Sequence, residues 1–226
     1  MALVLQRDWA IVCEGYADKE FFRHLIRART LPEFDIPFPQ EPGDIEGQQV
    51  LAGRSDFGKM LQVLRANFAL KGLPRAVLLV ADSGDDPAAV FAEIRSSIAG
   101  VAGYAPPDHL LTPGRSATAP DLLVVTVPWI NQPGSLETLC LIHLATKHAA
   151  IAPHVAEFCQ RTGVSAWTAE KRDKARLQCF IAATNTEDPN KSLRYAFSGA
   201  NPIISVNDAC FDQIAQLLAN FANYLA

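Results

Sequence analysis

Five acidic residues stand where a folded chain could make them act together: Glu14, Asp82, Asp85, Asp86 and Glu137. Glu14 ends the apolar run Trp9–Cys13, and Asp82 ends the run Val77–Ala81. A carboxylate at the end of a buried run needs a partner, because a charge taken out of water is costly unless it is paired. Carboxylates drawn together also repel one another and raise their own pKa values. A divalent cation removes that penalty, and Mg²⁺ takes oxygen ligands of this kind. Such clusters are the usual framework for metal-assisted phosphoryl transfer. The chemistry indicated is therefore a Mg²⁺ or Mn²⁺ site built from these five side chains. Two of them have simpler explanations as well. Asp86 before Pro87 is a good helix N-cap, and Glu137, just after Gly134-Ser135, suits the positive end of a helix dipole.

To act together these residues must be carried to one place. Trp9–Cys13 followed by Glu14-Gly15 has the pattern of a buried strand closed by a glycine turn. Phe21, Phe22, Leu25 and Ile26 then recur at helical spacing over 17–29, with Asp18 to cap the start and Arg27 and Arg29 in the last turn. Residues 30–43 are rich in proline and acid and predict a loop, and Gln48–Leu51 a short strand before Gly53. Ser55 opens a helix with Phe57, Met60, Leu61, Leu64 and Phe68 on its core face. The continuous apolar run Val77–Ala81 suits a central parallel strand covered on both faces, and Pro87 suits the first turn of a helix over 88–98. Residues 100–120, with many Gly and Pro, predict a surface excursion. Leu122–Val127 is the next strand, followed by a helix from Ser135 to His148 and helical patterns over 155–161, 169–183 and 208–225. Alternating strands and helices define an α/β chain with a mostly parallel sheet flanked by helices. Loops at the carboxyl ends of such strands line one crevice, so the acidic turns share an edge. The expected division is an α/β core over 1–150 and a helical extension over 151–226 packed on it.

Three segments carry a family resemblance. Val12-Cys13-Glu14-Gly15-Tyr16-Ala17-Asp18 followed by Phe21-Phe22 resembles the first motif of Toprim domains, a glutamate-glycine turn ending the first strand. Leu78-Leu79-Val80-Ala81-Asp82-Ser83-Gly84-Asp85 resembles the second, where an Asp-x-Asp pair ends the central strand. Pro128 through Gly134-Ser135-Leu136-Glu137-Thr138-Leu139 resembles a third block, found in small stand-alone Toprim-like proteins related to the overcoming-lysogenisation-defect (OLD) nucleases. The similarity covers 9–145 and, more loosely, 171–225. It implies a Toprim-like, Rossmann-like sheet, Glu14 as general acid or base, aspartates binding Mg²⁺, and Lys174 as a basic residue approaching the acidic site. It also implies Mg²⁺-dependent cleavage or nicking of DNA or RNA. One departure matters: Gly84 stands where the second Asp of the pair belongs, leaving Asp85 or Asp86 to supply the oxygen. If neither reaches, the chain is a degenerate Toprim-like module acting through a protein partner.

The bulk properties bound these readings. With 20 Lys and Arg against 24 Asp and Glu, the net charge of −4 disfavours a broad basic face for non-specific duplex binding. Lys171, Arg172, Lys174 and Arg176 form the best basic cluster, which a solvated helix face explains about as well as phosphate contact. The 5 scattered cysteines have no metal-ligand spacing and read as reduced, buried thiols of a cytoplasmic protein. No segment reaches the ~18 uninterrupted apolar residues of a membrane helix. His143 and His148 miss the spacing of a zinc pair, and no Walker loop, nucleophile elbow or dinucleotide fingerprint is present.

Overall fold

The computed structural model describes residues 6–37, 53–71 and 74–226. The strand expected at Gln48–Leu51 lies outside the described residues, as does the side chain of Phe68. Three strands form the sheet: β1 (Trp9–Cys13), β2 (Ala76–Asp82) and β3 (Asp121–Val127). All pair in parallel in the order β1-β2-β3, with Cys13 opposite Val80 and Asp82 opposite Val127. The continuous apolar sequences of β2 and β3 follow from this placement, since both faces of each strand are covered. The chain is thus α/β with an open parallel sheet.

Side chains alternate between two cores. Ile11, Cys13, Leu78, Val80, Leu123 and Val125 face one side, against α1 (Tyr16–Ala28), α4 (Leu136–Lys147), α5 (Ala152–Arg161), α6 (Ala169–Thr184) and α8 (Asp212–Ala219). Ala10, Val12, Val77, Leu79, Leu122 and Val124 face the other, against α2 (Phe57–Lys71) and α3 (Pro87–Ala99). Both outer edges of the sheet are covered by loops. Asp35 exchanges backbone bonds with Trp9 and Ile11 beside β1, and Gly114 does so with Leu122 beside β3. Covering edges in this way removes a template for unwanted strand pairing.

The chain beyond 150 packs into the first core through aromatic contacts. Trp9 meets Phe34 and Phe221, and Phe21 meets Phe197 and Phe211. Arg29 holds the same region, donating to the carbonyls of Val206 and Asp208 and pairing with Asp212 at 2.6 Å. Buried His143 meets Asp208 at 2.9 Å. The helical pattern over 208–225 is broken: a 3₁₀ turn, Ala209–Phe211, precedes α8, and Asn220 separates it from α9 (Phe221–Tyr224). The pattern over 55–68 likewise starts with a 3₁₀ turn, Arg54–Asp56, before α2. A short helix, α7 (Leu193–Ala196), was not signalled by periodicity, because 4 residues carry too little of it. Among the described residues no helix is long and apolar enough to cross a membrane. All five cysteines are free, with Cys13, Cys140 and Cys159 buried.

Gly58 sets how closely α2 approaches α3. A Cβ there would lie 2.1 Å from the Ser97 carbonyl oxygen, which is backbone and cannot swing away. Gly58→Ala should therefore lower stability by about 1–3 kcal/mol through overpacking, despite the ~1 kcal/mol that alanine gains in helix propensity. Denaturant unfolding checks this, and a variant as stable as the parent would show that the two helices can part without loss.

Candidate functional site

The carboxyl ends of β1 and β2 and the start of α4 are joined by carboxylates accepting backbone N–H groups. The Glu14 N–H donates to the Val80 carbonyl at 3.0 Å, so pairing runs one residue past β1. The Glu14 side chain turns toward β2, where Oε2 accepts the Asp82 N–H at 3.1 Å. Asp82 Oδ1 accepts the Leu136 N–H at 3.0 Å, the first N–H of α4. A carboxylate at a helix N-terminus satisfies an orphan donor and meets the positive end of the dipole. Glu137, 9% exposed, is the next residue on that first turn.

A fourth carboxylate completes the group. Gly15 caps α1 without a side chain, and Asp18, three residues on, reaches back to the Gly15 N–H, half of a capping box. This brings Asp18 beside Glu137, Glu14 and Asp82. Burial, then the charges of Glu137 and Glu14, push the Asp18 carboxyl up to about 7. Asp82 is raised well above the usual range by burial and by the charges of Asp18, Glu137 and Glu14. Glu14 is raised by burial, opposed by Arg54 and by the Asp82 N–H.

Of the five acids expected to converge, Glu14, Asp82 and Glu137 come together. Asp85 and Asp86 are exposed and committed to helix starts. Asp85 Oδ1 accepts the Ala169 N–H at 2.9 Å, at the beginning of α6, and Asp86 caps α3 through the N–H groups of Ala88 and Ala89. Gly84 has φ +60 and exchanges two backbone hydrogen bonds, of 2.9 and 2.8 Å, with Gly134. That bridge, with the Ser83 N–H on the Val127 carbonyl at 2.8 Å, ties the turn after β2 to the turn after β3.

Cations line the rim. Arg54 lies 3.7 Å from Glu14 Oε1 and 2.6 Å from Glu93 of α3. Lys174 of α6 is ion-paired with Glu170. Burial lowers the Lys174 ammonium, but the bond to Glu170 and the charges of Glu137 and Asp82 outweigh it and raise the group. The resemblance sets a basic residue of this region near the acidic site, and Lys174 makes its ion pair with Glu170. Arg172 and Arg176 instead flank Asp173, each at 3.6 Å. The sequence reading missed Arg54 and the place of Asp18 in the cluster. Gly15 and Asp18 at capping-box spacing carried a signal for the second, while nothing in the pattern marks Arg54.

Hard carboxylate oxygens that raise one another's pKa are a donor set that suits Mg²⁺ or Mn²⁺. Among the described residues, no group of three or more His, Cys, Asp or Glu side chains is placed so that it could hold a metal ion. Glu14 and Asp82 each spend one oxygen on a backbone N–H, so a cation would draw on the others and on Glu137 or Asp18.

Fold and site define an α/β protein with a half-buried acidic cluster at the carboxyl edge of a parallel sheet. The family described as "Protein of unknown function (DUF3226)" matches residues 8–226, and the chain belongs to it. No curated protein and no solved structure matches the chain.

The raised Asp18 carboxyl has a consequence for stability. Its folded pKa of about 7 exceeds its ordinary 3.8, so its contribution is fully present below about pH 4 and is lost as pH rises through 7. Asp18→Asn keeps the acceptor for the Gly15 N–H and removes the charge. Its denaturant midpoint should match the wild type near pH 4 and exceed it increasingly up to pH 7–8. Equal midpoints at pH 8 would show that Asp18 is not forced against its neighbours.

Proposed function

We propose that this protein is a Toprim-like, metal-dependent enzyme that cleaves or nicks phosphodiester bonds in DNA or RNA. The observation that carries the reading is the convergence of Glu14 and Asp82, from the ends of β1 and β2, on Glu137 in the first turn of α4, with Asp18 beside them. Asp82 would hold Mg²⁺ or Mn²⁺ with Glu137 completing the shell, leaving Glu14 for proton transfer. A bound cation of this kind supplies Lewis-acid stabilisation of phosphoryl charge.

The remaining work falls to side chains of the chain itself. Glu14 is the general acid or base: burial raises its carboxyl toward the range in which a group can take and return a proton. The Asp82 N–H fixes Oε2 and leaves Oε1 on the Arg54 side. Lys174 and Arg54 flank the carboxylates and meet the negative charge of the phosphodiester, in place of Glu170 and Glu93. With a net charge of −4, affinity depends on this local pair of cations and not on a general basic surface.

The test is calorimetry with Mn²⁺ combined with cleavage assays on plasmid, single-stranded DNA and RNA. Wild type should bind Mn²⁺ below millimolar and cut at least one substrate. Glu14→Gln should lower the rate by about 10²–10⁴-fold, the usual worth of a general acid or base, and Asp82→Asn should weaken metal binding. Intact substrates with both metals, together with an inert Glu14→Gln, would overturn the enzyme reading.

A second reading is favoured by one specific observation. Position 84 carries no carboxylate, and Asp85 and Asp86 are held at the starts of α6 and α3. On this reading the chain is a catalytically degenerate Toprim-like module that works through a protein partner. Gly84→Asp separates the two. Aspartate enters the left-handed conformation with less strain than most side chains, and a Cβ at 84 meets only the Val90 methyl at 3.5 Å. For the enzyme, the variant should bind Mn²⁺ more tightly and stay active. For the module, Mn²⁺ binding should be absent above background in wild type and appear only in Gly84→Asp.

A further inference from the structure

The N-terminus of α4 delivers two things to the acidic group, the Leu136 N–H on Asp82 and the carboxylate of Glu137. It is itself held from α6. Thr138, two residues beyond Leu136, has one hydroxyl hydrogen to give, and it gives it to Asp173 Oδ2 at 2.7 Å. Thr138 Oγ1 in turn accepts the Ser135 N–H at 3.0 Å, while the Thr138 N–H returns to the Ser135 carbonyl at 3.0 Å. Because the hydroxyl donates to Asp173, its lone pairs are turned toward Ser135. The fit leaves no slack at the preceding residue. Gly134 has φ +132, and a Cβ there would lie 2.5 Å from Thr138 Oγ1.

Asp173 is a costly way to hold a hydroxyl. It is 4% exposed, and its Oδ1 has no hydrogen-bond partner. Arg172 and Arg176 stand 3.6 Å from Oδ1, near enough to offset charge but too far for a hydrogen bond. Buried ion pairs contribute little net stability, and an apolar residue of similar size often serves as well or better. Stability therefore does not account for a carboxylate at this position, whereas the orientation of Thr138 does.

We infer that Asp173 is a positioning residue for the acidic site: through Thr138 it fixes the first turn of α4, and so the Leu136 N–H and Glu137, against Asp82. The chain of contacts runs from Asp173 to the Thr138 hydroxyl, to the Ser135 N–H, and one residue on to the Leu136 N–H and Asp82 Oδ1. The metal consequence rests on the metal-site reading above; the positioning itself does not. Partners of this outer kind are worth about 10–100-fold in metal affinity.

The experiment compares Asp173→Ala, Asp173→Asn and wild type by amide hydrogen exchange and by Mn²⁺ calorimetry on the full chain. Asp173→Ala should speed exchange at Ser135 and Leu136 while Leu141 and Leu144 in the same helix stay protected. It should also weaken Mn²⁺ binding about 10-fold or more. Asp173→Asn, whose amide oxygen still accepts from Thr138, should restore both. Unchanged exchange at Leu136 in Asp173→Ala, or equal loss of protection along all of α4, would overturn the proposal, the latter marking a simple tether. If wild type binds no Mn²⁺, the metal-site reading fails and the exchange pattern alone decides the role of Asp173. Should Asp173→Ala not fold, Thr138→Val is read in its place: local exposure of Leu136 supports the inference, and its full protection overturns it.

Discussion

The arrangement depends on carboxylates placed at strand ends and made to accept backbone N–H groups. Glu14 takes the N–H of Asp82, and Asp82 takes the N–H of Leu136. Each bond joins two segments far apart in sequence, so the ends of β1 and β2 and the start of α4 cannot move independently. The cost is electrostatic. Burial first, and then the charges of the neighbouring carboxylates, raise the carboxyls of Asp18 and Asp82. Helix N-termini return part of that cost, since Asp82 meets α4 and Asp18 lies in the first turn of α1. Arg54 and Lys174 return another part from the rim.

Both faces of the sheet serve this edge. On one side α1 and α4 carry Asp18 and Glu137; on the other α3 carries Glu93, which holds Arg54 beside Glu14. The Gly84–Gly134 bridge closes the third direction by locking the turns after β2 and β3 together. A site built this way is rigid where backbone meets carboxylate. It is adjustable where Arg54 and Lys174 rest on the glutamates Glu93 and Glu170, because surface ion pairs of that kind are weak and exchange with solvent.

The strands were legible because covering both faces forces an uninterrupted apolar run, and the three runs at Trp9, Val77 and Leu122 end where the sheet ends. Glu14 and Asp82 were legible for the same reason, as charges at the close of such runs. Asp85 was not: its partner, the Ala169 N–H, lies 84 residues further along the chain, and no local pattern joins the two. Asp18 read as the cap of α1, but the cap is Gly15 and Asp18 lies in the first turn, reaching back to the Gly15 N–H; its proximity to Glu137 arises from the packing of α1 and α4 on the same face. The periodicity over 208–225 is continuous in sequence, yet the capping bond from the Cys210 N–H to Asp208, and Asn220, divide it into three short elements. Arg54 sits at the junction between Gly53 and the helix opened by Ser55, where nothing marks it, so only the folded chain reveals it.

Gly84 bears most directly on what the site can do. Its φ of +60 is a conformation that ordinary side chains resist, and its two bonds to Gly134 need the backbones to meet closely. The turn after β2 is therefore shaped first as a clasp on the turn after β3. Position 84 carries no carboxylate and those of Asp85 and Asp86 are taken up at the starts of α6 and α3, so the negative charge that acts on Asp82 comes instead from Asp18, Glu137 and Glu14. On the Toprim-like reading, the oxygen that the second aspartate would supply is then to be sought on α1, at Asp18, and not one or two residues downstream. Asp18 has what Asp85 and Asp86 lack: its charge bears on Asp82, and it belongs to the same face as Glu137. A donor from α1 would couple any cation to the Glu14-Gly15 turn that carries the proposed acid or base, making metal and proton chemistry depend on one short stretch of chain.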